Sequence, residues 1–292
     1  MKMYPFTRFA PSPTGYLHRG HALSALWVWA IAEKYGYQVH LRIEDHDKSR
    51  ARPKYIAAIR EDLHWLGFQW IHESIQSERN SLYTAALENL KSKGLVYACD
   101  CSRKYLFESN AINEAGEVIY LGNCRHKNLP FSMESAIRFN TPNTTISWND
   151  LRLGSFSEVP FKQCGDFALR DRTGQWTYQF AVCVDDIDEN IGLVVRGEDL
   201  RFSTARQILL MKELGRETPP LYLHHPLILG DSGLKLSKRQ QAASLRAERD
   251  LERTPEQIFG EICFQTKLTE DSQPISLQNA LSLVSKQLDS SF

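Results

Sequence analysis

Arg8-Phe9-Ala10-Pro11-Ser12-Pro13-Thr14-Gly15, running on through Tyr16-Leu17 into His18-Arg19-Gly20-His21, is the stretch from which the fold is read. It begins as a short strand and turns sharply through Pro11, Pro13 and Gly15. Leu23, Leu26, Trp27, Ala30 and Ile31 then recur at helical spacing. A strand, a tight turn and a helix N-terminus bring backbone N–H groups and the positive end of a helix dipole to one point, which suits a phosphate. His18 and His21 add donors on either side of Gly20, where a nucleotide can lie flat against a position with no side chain. Alone, the HxGH pattern reads equally well as a turn with two surface histidines. Lys235-Leu236-Ser237-Lys238-Arg239, far downstream, breaks the tie, because a basic loop there can cover a triphosphate.

The rest of the composition narrows the class. A chain of 292 residues with 42% hydrophobic and 24% charged residues is long enough for one large α/β domain carrying a small insertion. No apolar run approaches the length that spans a bilayer, and Met1 to Arg8 lacks a signal-peptide core, so the expected location is cytoplasmic, with no membrane partner. The formal net charge is zero, so any RNA contact must come from a local basic face. Six cysteines in such a chain point to metal spacing rather than to disulfides.

Gln38 to Ile43 reads as the second strand, delivering Glu44-Asp45-His46-Asp47 at its carboxyl end, where open α/β sheets place their ligands. Glu44, the first residue past the strand, can hold an ammonium group; Asp45 and Asp47 read as loop or cap residues. Helices are expected over Lys54 to Leu66 and from about Asn80 to Lys93, each closed by a glycine. Cys99-x-Cys101 followed by Cys124, with Tyr120 or His126 as a fourth donor, makes a tetrahedral zinc site of structural type. Ala136 to Phe139, Thr145 to Trp148 and Gly154 to Val159 read as a small antiparallel insertion. Trp176 to Asp186 reads as a helix returning to the nucleotide fold, with Tyr178 near its start. Gly192 to Val195 reads as a strand ending in Arg196, whose guanidinium points at the same crevice as Glu44 and can grip a carboxylate. Ser203 is placed to N-cap a helix through Leu214, and Leu221 to Leu229 is the last apolar strand.

The paired stretches around His18–His21 and Lys235–Arg239 resemble the ATP signatures of class I aminoacyl-tRNA synthetases, and Arg8 to Gly15 resembles the opening of the glutamyl branch. Four features resemble the glutamyl-Q tRNA(Asp) synthetases more narrowly: Tyr120-x₃-Cys124 after Cys99-x-Cys101, Tyr178-Gln179-Phe180-Ala181, Asp199-Leu200 after Arg196, and Lys235-Leu236-Ser237-Lys238. The chain's end at Phe292, shortly after Arg239, leads to the expectation that a large anticodon-binding region is absent, as it is in that family. The resemblance implies a Rossmann-type nucleotide-binding domain with a parallel sheet. Residues 1–98 would form its first half and 99–165 a zinc-containing, acceptor-like insertion. Residues 166–240 would form the second half with the lysine loop, and 241–292 a short helical segment.

The same resemblance implies tRNA-independent activation of L-glutamate with ATP and Mg²⁺, then transfer to the queuosine base in the anticodon of tRNA(Asp), by a monomer. His18, His21 and Lys238 are the implied catalytic residues, with Gly20, Lys235 and Ser237 also holding ATP. Arg8, Ala10, Ser12, Glu44, Tyr178 and Arg196 are implied for glutamate, and Cys99, Cys101, Tyr120 and Cys124 for structural Zn²⁺. Departures from the pattern include Arg19, where the signature usually has an apolar residue, and the long loop from Ser102 to Ile119. Rival readings are a glutamyl-tRNA synthetase catalytic fragment charging the 3′ end, a non-catalytic module sensing glutamate or an adenylate, and another HxGH nucleotidyltransferase. Arg246, Arg249 and Arg253 read as a solvated helix face balanced by Glu248, Asp250 and Glu252.

Overall fold

A computed structural model describes residues 4–47, 49–228 and 243–289. In chain order, β1 (Phe6–Phe9) leads through the proline turn to α1 (Arg19–Tyr35), β2 (Gln38–Ile43), α2 (Pro53–Trp65), β3 (His72–Ile75) and α3 (Asn80–Ser92). Next come β4 (Val96–Cys99), α4 (Arg103–Ser109), β5 (Ala136–Phe139), β6 (Ile146–Asp150), β7 (Gly154–Glu158) and α5 (Pro160–Cys164). The chain continues with β8 (Ala168–Arg170), α6 (Tyr178–Asp188), β9 (Leu193–Gly197), α7 (Thr204–Glu213) and β10 (Leu221–His225). Three helices close it: α8 (Leu245–Asp250), α9 (Pro255–Gln265) and α10 (Leu277–Asp289).

β1, β2 and β3 pair in parallel, as do β9 and β10. A parallel bridge between Phe6 and Ile191 joins the two groups, giving the order β3-β2-β1-β9-β10 of a nucleotide-binding sheet. The carboxyl ends of β1, β2 and β9 therefore meet on one edge. α1 crosses beside them. Leu23, Leu26, Trp27, Ala30 and Ile31 are all buried, as their spacing predicts, but so are Ala22, Ala25, Val28 and Ala32. The reason is that α1 packs on β1, β2 and β9 with one face and on α9 and α10 with the other.

The three stretches read as one antiparallel insertion are divided in the structure. β5 pairs antiparallel with β4 and β8 in a separate sheet. β6 instead lies parallel to β10, with β7 antiparallel at the edge, so both extend the central sheet. Asp150 at the end of β6 accepts from the backbone N–H of His224 at 3.0 Å and so locks β6 to β10. Ser203 also differs from expectation. Its hydroxyl does not cap α7, because it accepts instead from Gln179 Nε2 and an Arg206 nitrogen, both at 2.9 Å. The last strand ends at His225, and Leu229 is outside the described residues.

β2 also carries a liability. His40 is 4% exposed, its ring lies 4.3 Å from that of Phe6 and 5.0 Å from that of His72, and neither ring nitrogen has a hydrogen-bond partner among the described residues. Burial pushes its pKa down to about 4. The unfolded chain takes up a proton near pH 6.5 and the buried ring does not, so His40 costs nothing above that pH and destabilises the fold increasingly as pH falls towards 4, by about 3 kcal/mol in all. Urea midpoints of a His40→Phe protein are expected to fall less between pH 7 and pH 4.5 than those of the parent. Equal acid sensitivity in the two would exclude this account.

Candidate active site

The proline turn is fastened to the end of β2: Glu44 donates its N–H to Pro11 O, and Arg52 to Pro13 O, both at 3.1 Å. The turn delivers His18 as the N-cap of α1. His18 Nδ1 accepts from Gly20 N–H and His21 Nδ1 accepts from His18 N–H, each at 3.1 Å, a reciprocal cap made of two imidazoles. With both Nδ1 atoms accepting, a neutral ring carries its proton on Nε2. Gly20 has a second reason to lack a side chain, since a Cβ would sit 2.9 Å from His18 Cε1.

Arg8, Ala10, Ser12, Glu44, Tyr178 and Arg196 all line one cleft of about 410 Å³, together with His21, Ser24 and Val28. The cleft sits over the carboxyl ends of β1, β2 and β9, closed on one side by the first turn of α6 at Tyr178. Residues of β1, the proline turn, the end of β2, α6 and β9 thus meet at one cleft, and His18 and Gly20 stand beside them at the start of α1.

The two arginines of the cleft differ in what neutralises them. Arg8 Nε donates to Asp186 Oδ1 at 3.0 Å, an ion pair with both side chains nearly inaccessible. Arg196 is 5% exposed, and among the described residues its three nitrogens hydrogen-bond to uncharged groups: Nε to His224 Nε2 at 3.0 Å, one terminal nitrogen to Gln207 Oε1 at 2.7 Å and the other to Thr204 Oγ1 at 2.8 Å. His224 is held in turn by Asp150 Oδ2, 2.6 Å from its Nδ1. Burial lowers the His224 pKa, against the pull of Asp150. The ring is therefore neutral, donating to Asp150 and accepting from Arg196. None of Asp150, Thr204, Gln207 or His224 was singled out from the sequence. Their signal was only that polar residues interrupt apolar stretches.

Glu44 is 6% exposed, and burial raises its pKa to about 7 in spite of Arg42 and Arg8 nearby. Behind it lies a charged network that sequence reading also missed. Arg42, wholly buried on β2, reaches Glu189 Oε2 at 2.6 Å and Asp186 Oδ1 at 2.7 Å. Arg79 reaches Asp185 and Asp188, both at 2.7 Å. Burial pushes Asp186 upwards, but Arg8 and Arg42 together hold it below the usual carboxylate range. The acidic run Asp45 to Asp47 behaves as expected of loop residues: Asp45 accepts from Ser77 N–H, and Asp47 from the N–H and hydroxyl of Ser49.

In the other sheet, the sulfurs of Cys99, Cys101 and Cys124 all lie within 4.8 Å of one another. Cys101 and Cys124 are 3.5 Å apart, near the edge of about 3.8 Å of a tetrahedron with metal–sulfur bonds of about 2.3 Å. The cluster can hold a metal ion. Of the two donors the spacing leaves open, Tyr120 has its hydroxyl 3.5 Å from the sulfurs of Cys99 and Cys101, whereas His126 is exposed and outside the cluster. Gly165 makes this placement possible, at φ 62° with room for no Cβ, which would meet Tyr120 O at 2.0 Å.

Lys235, Ser237, Lys238 and Arg239 lie outside the described residues. Of the arginines beyond them, Arg249 pairs with Glu61 and Asp62, and Arg253 with Glu248 and Glu261. Arg246 stacks over Tyr16 at 5.4 Å.

A sheet of this order, with an HxGH turn on α1 and an amino-acid-sized cleft of opposed charges, defines a class I synthetase core. The chain belongs to that family: residues 6–276 match the tRNA synthetases class I (E and Q), catalytic domain. Within it, the Glutamyl-Q tRNA(Asp) synthetase of Nitratidesulfovibrio vulgaris is 35% identical over 297 residues, covering 95% of this chain and 91% of that protein. The glutamate–tRNA ligase of Anaeromyxobacter sp. (strain K) is 40% identical over 266 residues, 87% of this chain but 56% of that protein. The chain thus spans about half the length of the glutamate–tRNA ligases it matches. A crystal structure of a glutamate tRNA ligase from Elizabethkingia meningosepticum, in complex with its amino acid, aligns with a TM-score of 0.78 at 27% identity, over 97% of this chain and 65% of that one.

Proposed function

We propose that this chain is a cytoplasmic, monomeric ligase that activates L-glutamate with ATP in the absence of tRNA and transfers it to the queuosine base in the anticodon of tRNA(Asp). The observation that carries the reading is the convergence of Arg8, Glu44, Tyr178, Arg196 and His21 on one cleft. The relative named for this reaction matches across 91% of its length, which favours it over charging of a 3′ end. No described helix is long and apolar enough to cross a membrane.

In the activation step an oxygen of the α-carboxylate bonds to the α-phosphorus while that phosphorus releases pyrophosphate, leaving glutamyl-adenylate. Such a step needs alignment and charge neutralisation rather than a general base, since the carboxylate is already ionised. His18 and His21 donate from Nε2 to phosphate oxygens, and Gly20 leaves the nucleotide room. Lys235, Ser237 and Lys238 meet the charge of the departing pyrophosphate; Mg²⁺, when bound, would neutralise the same oxygens. Arg196, with Tyr178 beside it, takes the side-chain carboxylate, Arg8, Ala10 and Ser12 complete the wall, and Glu44 takes the α-ammonium. A hydroxyl of queuosine then attacks the adenylate carbonyl and AMP leaves.

Glu44 sets a pH dependence. Below about pH 7 it is protonated in the empty cleft and cannot pair with an ammonium. Glutamate affinity, measured by calorimetry, is therefore expected to weaken about tenfold per pH unit below 7. A Glu44→Gln protein should bind weakly at every pH; a pH-independent parent would contradict the assignment.

Cys99, Cys101, Cys124 and Tyr120 would hold Zn²⁺ as a staple remote from the chemistry. Stripping metal with a chelator is expected to lower the melting temperature and to leave the KM for glutamate unchanged. The function itself is tested with radiolabelled glutamate on tRNA from cells with and without queuosine, each pool trimmed of its terminal adenosine. Label on the queuosine pool alone supports the proposal. Label only on untrimmed tRNA of both kinds would make the chain a 3′-end ligase, and ATP or glutamate binding without adenylate formation would make it a sensor.

A further inference from the structure

Arg19 departs from the usual apolar residue of its signature, and the structure gives it a partner far along the chain. Arg19 Nε and one terminal nitrogen both reach Glu248 Oε1, at 2.9 and 2.6 Å, and Glu248 is 3% exposed. The other terminal nitrogen lies 2.6 Å from Glu261 Oε2 on α9. Arg253 completes the set by pairing with both carboxylates, which gives a closed ring of two cations and two anions. The ring is not the only tie. His18 forms an antiparallel bridge with Ser244, Leu245 donates its N–H to Leu17 O at 2.8 Å, and Ser244 caps α8 by accepting from Ala247 N–H at 3.1 Å.

The geometry points to Arg19 and Glu248 as positioning residues for ATP: through them α8 holds the turn that carries His18 and His21, so nucleotide affinity depends on an ion pair between two distant parts of the sequence. This rests on the assignment of the two histidines to ATP. The argument is geometric. The first residue of α1 is gripped by a buried carboxylate on α8, and the residue before it is bridged to the N-cap of α8. The imidazoles are themselves held by hydrogen bonds to backbone N–H groups of residues 18 and 20, so a shift of Arg19 moves both rings together. A small misplacement of phosphate-binding donors is costly to binding and turnover. Arg253 pairs with Glu248 and Glu261 and makes no hydrogen bond or ion pair to α1 among the described residues, so it serves the stability of the ring without setting the turn.

The test is a double-mutant cycle on ATP affinity, read by equilibrium dialysis with labelled ATP. Arg19→Leu and Glu248→Gln are each expected to weaken ATP binding about tenfold, and the double variant no further, because each removes the same interaction. In ATP–pyrophosphate exchange, KM for ATP should rise while KM for glutamate stays. Arg19→Lys should recover part of the loss, and Arg253→Leu should lower the melting temperature with ATP affinity unchanged. Unaltered ATP affinity in a folded Glu248→Gln protein, additive losses in the double variant, or an equal loss of glutamate affinity would overturn the inference. A parent that binds ATP but exchanges no pyrophosphate with L-glutamate would refute the proposed reaction alone, and the ATP cycle would still decide the pair.

Discussion

An Arg196→Gln protein is expected to lose about 10²–10³-fold in kcat/KM for L-glutamate, through affinity more than turnover. The reason lies in how the two arginines of the cleft are compensated. Arg8 already faces Asp186, so much of its charge is spent inside the protein. Arg196 is gripped at all three nitrogens by His224, Gln207 and Thr204, none of which carries a negative charge. A guanidinium has five N–H donors, so those three contacts leave donors for an incoming carboxylate. The site holds its cation rigid and unpaid, which favours an anionic side chain and costs the free protein stability. The melting temperature of Arg196→Gln should accordingly hold or rise while glutamate affinity collapses. Unchanged affinity would move the side-chain carboxylate to Arg8. The Asp150–His224 pair gives the same site its orientation, because a neutral His224 donating to Asp150 can only accept from Arg196.

Arg42→Met is expected to destabilise the fold by about 3–5 kcal/mol at pH 7, the cost of leaving buried carboxylates without their cation. Arg42 has no exposed surface and lies within 4.0 Å of Asp185, Asp186 and Glu189. Without it, the ion pairs left to these carboxylates among the described residues come from Arg8 and Arg79. Arg42 and Arg8 also act together to hold Asp186 ionised. In the Arg42→Met protein these carboxylates would take up protons more readily, so the destabilisation should shrink as pH is lowered from 7 to 5. Urea unfolding at both pH values measures this. A second variant, Arg42→Met with Glu189→Leu, should recover part of the loss by removing an orphaned charge. A loss below about 1 kcal/mol at pH 7 would mean that the network contributes little to folding.

Some of this was legible from the chain alone because it depends on near neighbours. The spacing of Leu23, Leu26, Trp27, Ala30 and Ile31 specifies α1, and Gln38 to Ile43 followed by Glu44 places a carboxylate at a strand end. The HxGH turn, the CxC pair and the arginine after Val195 each announce their chemistry within a few residues. Partnerships between distant residues were not legible. Arg8 and Arg196 look alike in sequence, and their difference arises only when α6, packed against α3, α7 and β8, brings Asp186 to one of them. Tyr120 and His126 are both within reach of the cysteines along the chain, and the backbone approach at Gly165 turns Tyr120 inwards. β6 and β7 have ordinary strand patterns, which do not say which edge they will join. Arg19 looks like an anomaly until α8 folds back on it. Sequence alone determined the local conformations and which side chains stand at the strand ends, because backbone propensity and side-chain periodicity act over a turn or two. Tertiary structure decided which charges are neutralised and which stay open to a ligand, because the field at a buried group is set by whatever packing brings within a few ångströms.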